Sequence, residues 1–233
     1  LIDCDPQANA TSGLGYTPAE FGAQGRASLY QILRGESTAA AAIVPTPMEG
    51  LELLPSSRDL AGLNLELVAE TERESRLKQA LAPIAAGYGF ILIDCPPALD
   101  LLNLNALVAA HALLVPMQCE YFALEGVAQL LETIARVRAA WNPGLQIEGV
   151  LFTQLDERTN LSRQVAENLR QHFAERVFST AIPRNIRLAE APSHGLPVLL
   201  YDLRSKGAEA YLQLAREVIQ REQTRTAAVS AAP

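Results

Sequence analysis

The stretch Phe90-Ile91-Leu92-Ile93-Asp94-Cys95-Pro96-Pro97 is a run of four apolar residues closed by one acid and, one residue on, a double proline. Such a run, bounded by turn residues, is the pattern of a strand buried on both faces, and strands of that kind belong to parallel sheets covered by helices. Working outward, similar runs recur at residues 112–115 and 147–152, with weaker ones at 51–54 and 177–182. Between them, residues 72–84, 124–140 and 160–173 repeat their apolar positions at helical spacing. The alternation predicts an α/β fold: a doubly wound, mostly parallel sheet with helices on both faces. With 233 residues, 49% of them hydrophobic, and no Pro/Gly/Ser-rich linker, the chain can fill one substantial core. The expectation is a single domain over residues 1–223, followed by a disordered tail at 224–233, where the sequence is Ala-rich and aperiodic.

Apolar stretches are interrupted well before the ~18 residues a membrane span needs, and no basic, apolar and small-residue leader opens the chain. A soluble, cytoplasmic protein is expected. Cys4, Cys95 and Cys119 lie in or beside apolar runs, which suits reduced, buried thiols better than a disulfide framework. The net charge of −7 argues against a protein that coats nucleic acid over its whole surface. Charge is uneven, however: residues up to Gly149 carry −9 and those after it +2. An anionic partner should therefore meet the C-terminal third.

In open α/β sheets ligands sit beyond the carboxyl ends of strands, so polar residues that follow apolar runs are the ones to inspect. Leu1-Ile2-Asp3-Cys4-Asp5-Pro6-Gln7 ends in two carboxylates two residues apart, which project to the same side of a strand. They can hold a metal's water shell and orient an attacking water, or they can be a solvated strand-end pair. Thr11, Ser12, Gly13 and Gly15 continue as a small-residue loop that lets backbone approach a ligand. Asp94, fixed at the end of its strand, can hold Mg²⁺ directly or through water beside phosphates. Cys95 reads as a packed thiol. Finally, Pro183-Arg184-Asn185-Ile186-Arg187 joins a rigid turn to two arginines and an amide, which suits either a flat base edge with an anion or a capped surface loop. His194 reads as a local hydrogen-bonding residue.

Taken together, these segments resemble the ParA/Soj family of chromosome and plasmid partitioning ATPases. LIDCDPQANATSGLGY is similar to its Walker A′ segment, and FILIDCPPALDLLNLNAL to its Walker B segment. VPMQCEYFALEGVAQLLETI, GVLFTQLDERTNLSRQV and IPRNIRLAEAPSHGLPVLLYDLRSKGAEAYLQLA follow in the family's order, so the likeness runs from Leu1 to about Glu217. It implies an ATPase that dimerises around ATP with Mg²⁺, binds non-specific DNA as that dimer, associates with the nucleoid, and hydrolyses ATP when a ParB/Spo0J-like protein stimulates it. By position, Asp5 would orient the hydrolytic water and Asp3 would support the Mg²⁺ and phosphate region. Asp94 would be the Walker B acid, Pro183, Arg184 and Asn185 would line the adenine, and Arg158 and Arg187 would contact DNA phosphates.

Residues 1–2 read as the tail of a strand already under way, and the family's K-G-G-x-G-K-S/T loop is not found ahead of Leu1. The expectation drawn from this is a P-loop NTPase-like fold without its first βα unit and P-loop, inactive toward ATP as it stands. Two smaller departures are Ala8, where the family commonly has Gly, and Asp100, where a small residue is usual and a carboxylate would sit near the Mg²⁺ region. A MinD-like membrane-cycling ATPase would want a basic amphipathic C-terminal helix, whereas residues 210–220 read as core-packing. An iron–sulfur reductase would want a Cys after the Asp94 strand at the cluster position, and none stands there. A DNA-binding relative with degenerate nucleotide chemistry is disfavoured by Asp3, Asp5 and Asp94.

Overall fold

The computed structural model describes residues 1–22, 25–97, 100–120, 123–155 and 160–230. They fall into two compact units: Leu1–His111 with Thr133–Leu145 and Ala191–Pro197, and Ala112–Glu132 with Gln146–Glu190 and Val198–Pro233.

The first unit contains β1 (Ile2–Asp3), α1 (Asn9–Gly13), α2 (Leu29–Leu33), α3 (Ala39–Ala42), β2 (Val44–Pro45), β3 (Glu52–Leu53), α4 (Leu63–Glu66), α5 (Arg76–Leu81), β4 (Ile93–Asp94) and α6 (Leu101–Ala109). β1 lies between two parallel neighbours. On one side Ile2 and Asp3 pair with Ile93 and Asp94 of β4, and on the other Ile2 bridges Leu54 just beyond β3. The amides of Ile2, Cys4 and Asp3 donate to the carbonyls of Leu92, Asp94 and Leu54 at 2.8, 2.8 and 3.1 Å. Ile2, Cys4, Leu29, Leu33, Leu54, Leu63, Leu77 and Leu102 form the core, with Ile91 and Ile93 packed against it. Phe90 and Leu92, the alternate residues of the same run, are 52% and 61% exposed. The run therefore buries one face in this unit, as the two-residue period of a strand dictates, rather than both as expected.

Local chemistry starts the helices. Ser28 caps α2 in a reciprocal box with Gln31. Asp100 caps α6, its Oδ1 accepting the amides of Leu102 and Asn103 at 3.0 and 3.2 Å. Buried Asn105 on α6 accepts the Leu77 amide at 3.0 Å and donates to the carbonyls of Arg73 and Leu101, both at 2.9 Å, which ties α5 to α6.

The second unit contains β5 (Ala112–Gln118), the first part of α7 (Ala123–Ala140), β6 (Gln146–Thr153), α8 (Asn160–Phe173), α9 (Ile186–Glu190), α10 (Val198–Tyr201) and α11 (Lys206–Ser230). β5 and β6 pair in parallel, with one shift of register between Leu113 and Leu114. On α8, Val165, Ala166 and Leu169 turn inward and pack with Val150 and Phe152, while Arg163, Glu167 and Arg170 stay exposed. A second cluster joins Leu151, Phe178 and Ile182 to Ala210 and Leu214 of α11.

Residues 177–182, expected as a strand, contribute only isolated parallel bridges, Val150 to Val177 and, just past the segment, Leu155 to Pro183. α11 continues through residues 224–230. Cys4 and Cys119 are buried as expected, but Cys95 is exposed. The expectation of a fold lacking its first βα unit is corrected as well. The described chain opens on a strand, loop and helix, β1 to α1, whose strand is hydrogen-bonded on both sides. Where a sequence starts carries no information about the sheet, which is set by long-range pairing.

Candidate functional site

The parallel register of β1 and β4 sets Asp3 directly beside Asp94, with Asp5 two residues further along the loop after β1. Their surroundings differ. Asp3 is fully buried. Its Oδ2 accepts both the amide and the hydroxyl of Thr11, at 2.7 and 2.6 Å, and its Oδ1 accepts the Asp5 amide at 3.2 Å. Burial pushes the Asp3 carboxyl above the usual range, the bonds from Thr11 and Asp5 oppose this, and the nearby Asp5 charge adds to the rise. Asp5 is half-buried, and its Oδ1 accepts the Gln7 amide at 2.9 Å. Asp94 is exposed at its strand end. Partial desolvation pushes its carboxyl up, and the charges of Asp3 and Asp5 push it further.

Thr11 and Ser56 complete the arrangement. The Thr11 hydroxyl, which donates to Asp3, accepts the Ser56 amide at 3.0 Å, and the Ser56 hydroxyl donates to the Asp5 carbonyl at 2.6 Å. From sequence Thr11 is expected in a small-residue loop, and no sequence signal marks Ser56. Residues 9–13 are instead the short helix α1, entered through Ala8 in the left-handed region at φ 55°. A non-glycine residue held in that conformation costs about 1–2 kcal/mol, so Ala8 is a strained entry to the helix. Behind α1, Gly15 and Gly195 meet backbone to backbone: a Cβ on Gly195 would lie 2.8 Å from the Gly15 Cα. The Pro192–Gly195 part of the third segment thus packs on the loop that follows Asp5, a role unrelated to His194 chemistry.

Asp100 stands close enough for its charge to reach Cys4 and Cys95, beside the strand-end acids. Its carboxylate is engaged at the α6 N-terminus and by the Asn64 amide at 3.3 Å, so it serves the helix. Cys95 is exposed, but desolvation and then the charges of Asp94 and Asp100 push its thiol up to about 12, which leaves it a poor nucleophile at neutral pH. Burial raises the Cys4 thiol as well. Among the described residues no group of three or more His, Cys, Asp or Glu is set to hold a metal directly. The carboxylates of Asp3, Asp5 and Asp94 suit an ion held through its water shell: the Asp5 charge raises the proton affinity of Asp3, and Asp3 and Asp5 raise that of Asp94, a cost that nearby positive charge relieves.

Pro183, Arg184, Asn185 and Arg187 belong to the second unit. Asn185 Oδ1 accepts the Arg187 amide at 2.9 Å as α9 begins, and Arg184 is exposed. Arg187 is half exposed and paired with Glu190 at 2.8 Å and Asp202 at 3.3 Å. Arg158 lies outside the described residues. An open groove of about 630 Å³ runs along α8, and its described lining, Leu155, Arg163, Ala166, Glu167, Arg170 and Gln171, includes none of the acids after β1 and β4.

Acids at the ends of parallel strands, followed by a tight turn into a helix, stand where α/β folds bind their ligands, and the comparisons give the class as P-loop NTPase-like. A family model described as "AAA domain" matches residues 1–147. The chain is similar to the chromosome partitioning protein ParA of Caulobacter vibrioides (strain NA1000 / CB15N), at 50% identity over 229 residues that cover 97% of this chain and 84% of the relative. It is equally similar to the sporulation initiation inhibitor protein Soj of Bacillus subtilis (strain 168), at 50% over 218 residues, 94% of this chain and 85% of that one. Among solved structures, cobyrinic acid a,c-diamide synthase from Mycobacterium smegmatis with bound ADP and magnesium is 40% identical, covers 79% of this chain and 74% of its own, and superposes with a TM-score of 0.72.

The chain belongs to the ParA/Soj family of partitioning ATPases. Because the family model is matched from residue 1 and nearly the whole chain aligns with its relatives, the reading of a family member lacking its P-loop is overturned. The expectation of inactivity built on that reading falls with it.

Proposed function

We propose that the chain is an ATP-driven partitioning switch: as an ATP-dependent homodimer it holds DNA without regard to sequence, and it hydrolyses ATP when a ParB/Spo0J-type protein engages it. The observation that supports this most is the in-register pairing of Asp3 with Asp94, with Asp5 in the loop immediately beyond. Bound ATP with Mg²⁺ supplies the phosphoryl group and the positive charge that such a carboxylate set calls for. On this reading Asp94 holds the ion through its waters, Asp3 braces the loop from the buried side, and Asp5, the half-exposed member, orients the attacking water. Pro183, Arg184 and Asn185 are assigned to the adenine, and Arg158 and Arg187 to DNA phosphates, by the resemblance. Phosphate contacts make binding sequence-blind and salt-dependent, which suits a protein that uses the nucleoid as a surface. A cytoplasmic, nucleoid-associated location is assigned by the same resemblance; no helix among the described residues is long and apolar enough to cross a membrane.

Replacing Asp5 with Ala tests the reading. ATP binding and DNA retention should persist while turnover disappears. Unaltered turnover in this variant would remove Asp5 from the role given to it.

A further inference from the structure

The bonds between the strand that ends at Leu54 and the loop after β1 go further than family membership does. Ser56 is fully buried, and both of its hydrogen-bond donors are spent on that loop: its amide on the Thr11 hydroxyl at 3.0 Å and its own hydroxyl on the Asp5 carbonyl at 2.6 Å. Thr11, also fully buried, passes the connection on to Asp3 through two bonds to one carboxylate oxygen. Asp3 returns it to Asp5 by accepting that residue's amide. The backbone of Asp5 is therefore gripped at both ends, at its amide by Asp3 and at its carbonyl by Ser56, while its side chain accepts the nearby Gln7 amide and stays half exposed.

We propose that Ser56 is a positioning residue for hydrolysis: acting with Thr11 and Asp3, it fixes the main chain of Asp5 so that the carboxylate is presented at one reach and angle. The inference rests on the water-orienting role assigned to Asp5 above. It gives buried Asp3 a function that needs no contact with nucleotide. The physical ground is that a reacting group must be held to within a fraction of an ångström, and a displacement of about 1 Å is worth on the order of 100-fold in rate. Ser56 makes no contact that would bind ATP through its own side chain, so its loss should appear in turnover and not in affinity.

The adjoining Ser57 provides the control. It is equally buried, in the same segment, yet its hydroxyl accepts from Ser28 at 3.2 Å and does not reach the loop. Ser56→Ala, Ser57→Ala and the hydroxyl-retaining Ser56→Thr would be compared with the parent protein by steady-state ATP hydrolysis and by amide hydrogen exchange over residues 3–12. Ser56→Ala should lower kcat about 10- to 100-fold with KM for ATP within about twofold. It should also accelerate exchange at Asp5 and Thr11. Ser56→Thr should recover part of the rate, and Ser57→Ala should match the parent in both measurements. If Ser57→Ala loses as much rate as Ser56→Ala, or if Ser56→Ala leaves loop exchange and kcat unchanged, the proposal is overturned. A parent protein that hydrolyses no ATP would defeat the partitioning-ATPase reading instead, and the exchange comparison would still decide whether Ser56 holds the loop.

Discussion

Glu217, on α11, accepts four hydrogen bonds: from the Ser179 amide and hydroxyl at 2.8 Å each, from the Thr180 amide at 3.0 Å, and from Arg221 at 3.0 Å. Arg221 continues inward, donating to the carbonyls of Glu148 and Val177 and stacking 4.0 Å over the Phe178 ring. One carboxylate thus clamps the turn that leads into Ile182 and Pro183. Desolvation pushes the Glu217 carboxyl up, but the bonds from Ser179 and Thr180 outweigh it and hold the group at about 2 instead of its ordinary 4.5. At about 1.4 kcal/mol per pH unit this difference amounts to roughly 3 kcal/mol, which water at the rim of the site reduces to about 2 kcal/mol. The folded-state value is the depressed one, so the stabilisation is complete above about pH 4.5 and disappears as pH falls toward 2. Glu217→Gln cannot accept from all four donors and should destabilise the second unit by about 2 kcal/mol at pH 7. The matching assay is urea denaturation of parent and variant at pH 7 and pH 3, with amide exchange followed at residues 178–182. The difference between the two proteins should shrink to less than half at the lower pH, and exchange should quicken only in the variant. A variant within ~0.5 kcal/mol of the parent at pH 7, or a difference that grows on acidification, would refute the reasoning.

Two further outcomes follow from named contacts. Asp100→Ala should cost about 1 kcal/mol through loss of the α6 cap, Asp100→Ser should restore most of it, and neither should change the Mg²⁺ dependence of turnover; a shifted Mg²⁺ requirement would return Asp100 to the ion site. Asp202→Asn keeps the turn that accepts the Arg204 amide but releases Arg187 from one of its two acids, so non-specific DNA should be retained about two- to fivefold more tightly at low salt, with a steeper salt dependence in filter binding. An unchanged salt slope would separate Arg187 from phosphate contact.

Sequence periodicity by itself determined what depends on neighbours along the chain. The runs at 112–115 and 147–152 became β5 and β6, and the apolar spacing at 124–140 and 160–173 became α7 and α8, because burial of an alternating or helical face is a local pattern. The polar residues after β1 and β4 were legible for the same reason, as were the segments that carry the family resemblance. Pairing decided the rest. Residues 177–182 have strand composition but only bridging partners, Phe90 and Leu92 lie on the face of their run turned away from the first unit's core, and Asp100 is engaged by α6. Most of all, nothing local marks Ser56, 51 residues from Asp5 and 45 from Thr11, as part of their network. Hydrogen bonds across such separations exist only once β1 has entered the sheet between Leu54 and β4, so the burial of Asp3 and the presentation of Asp5 are properties of the tertiary structure.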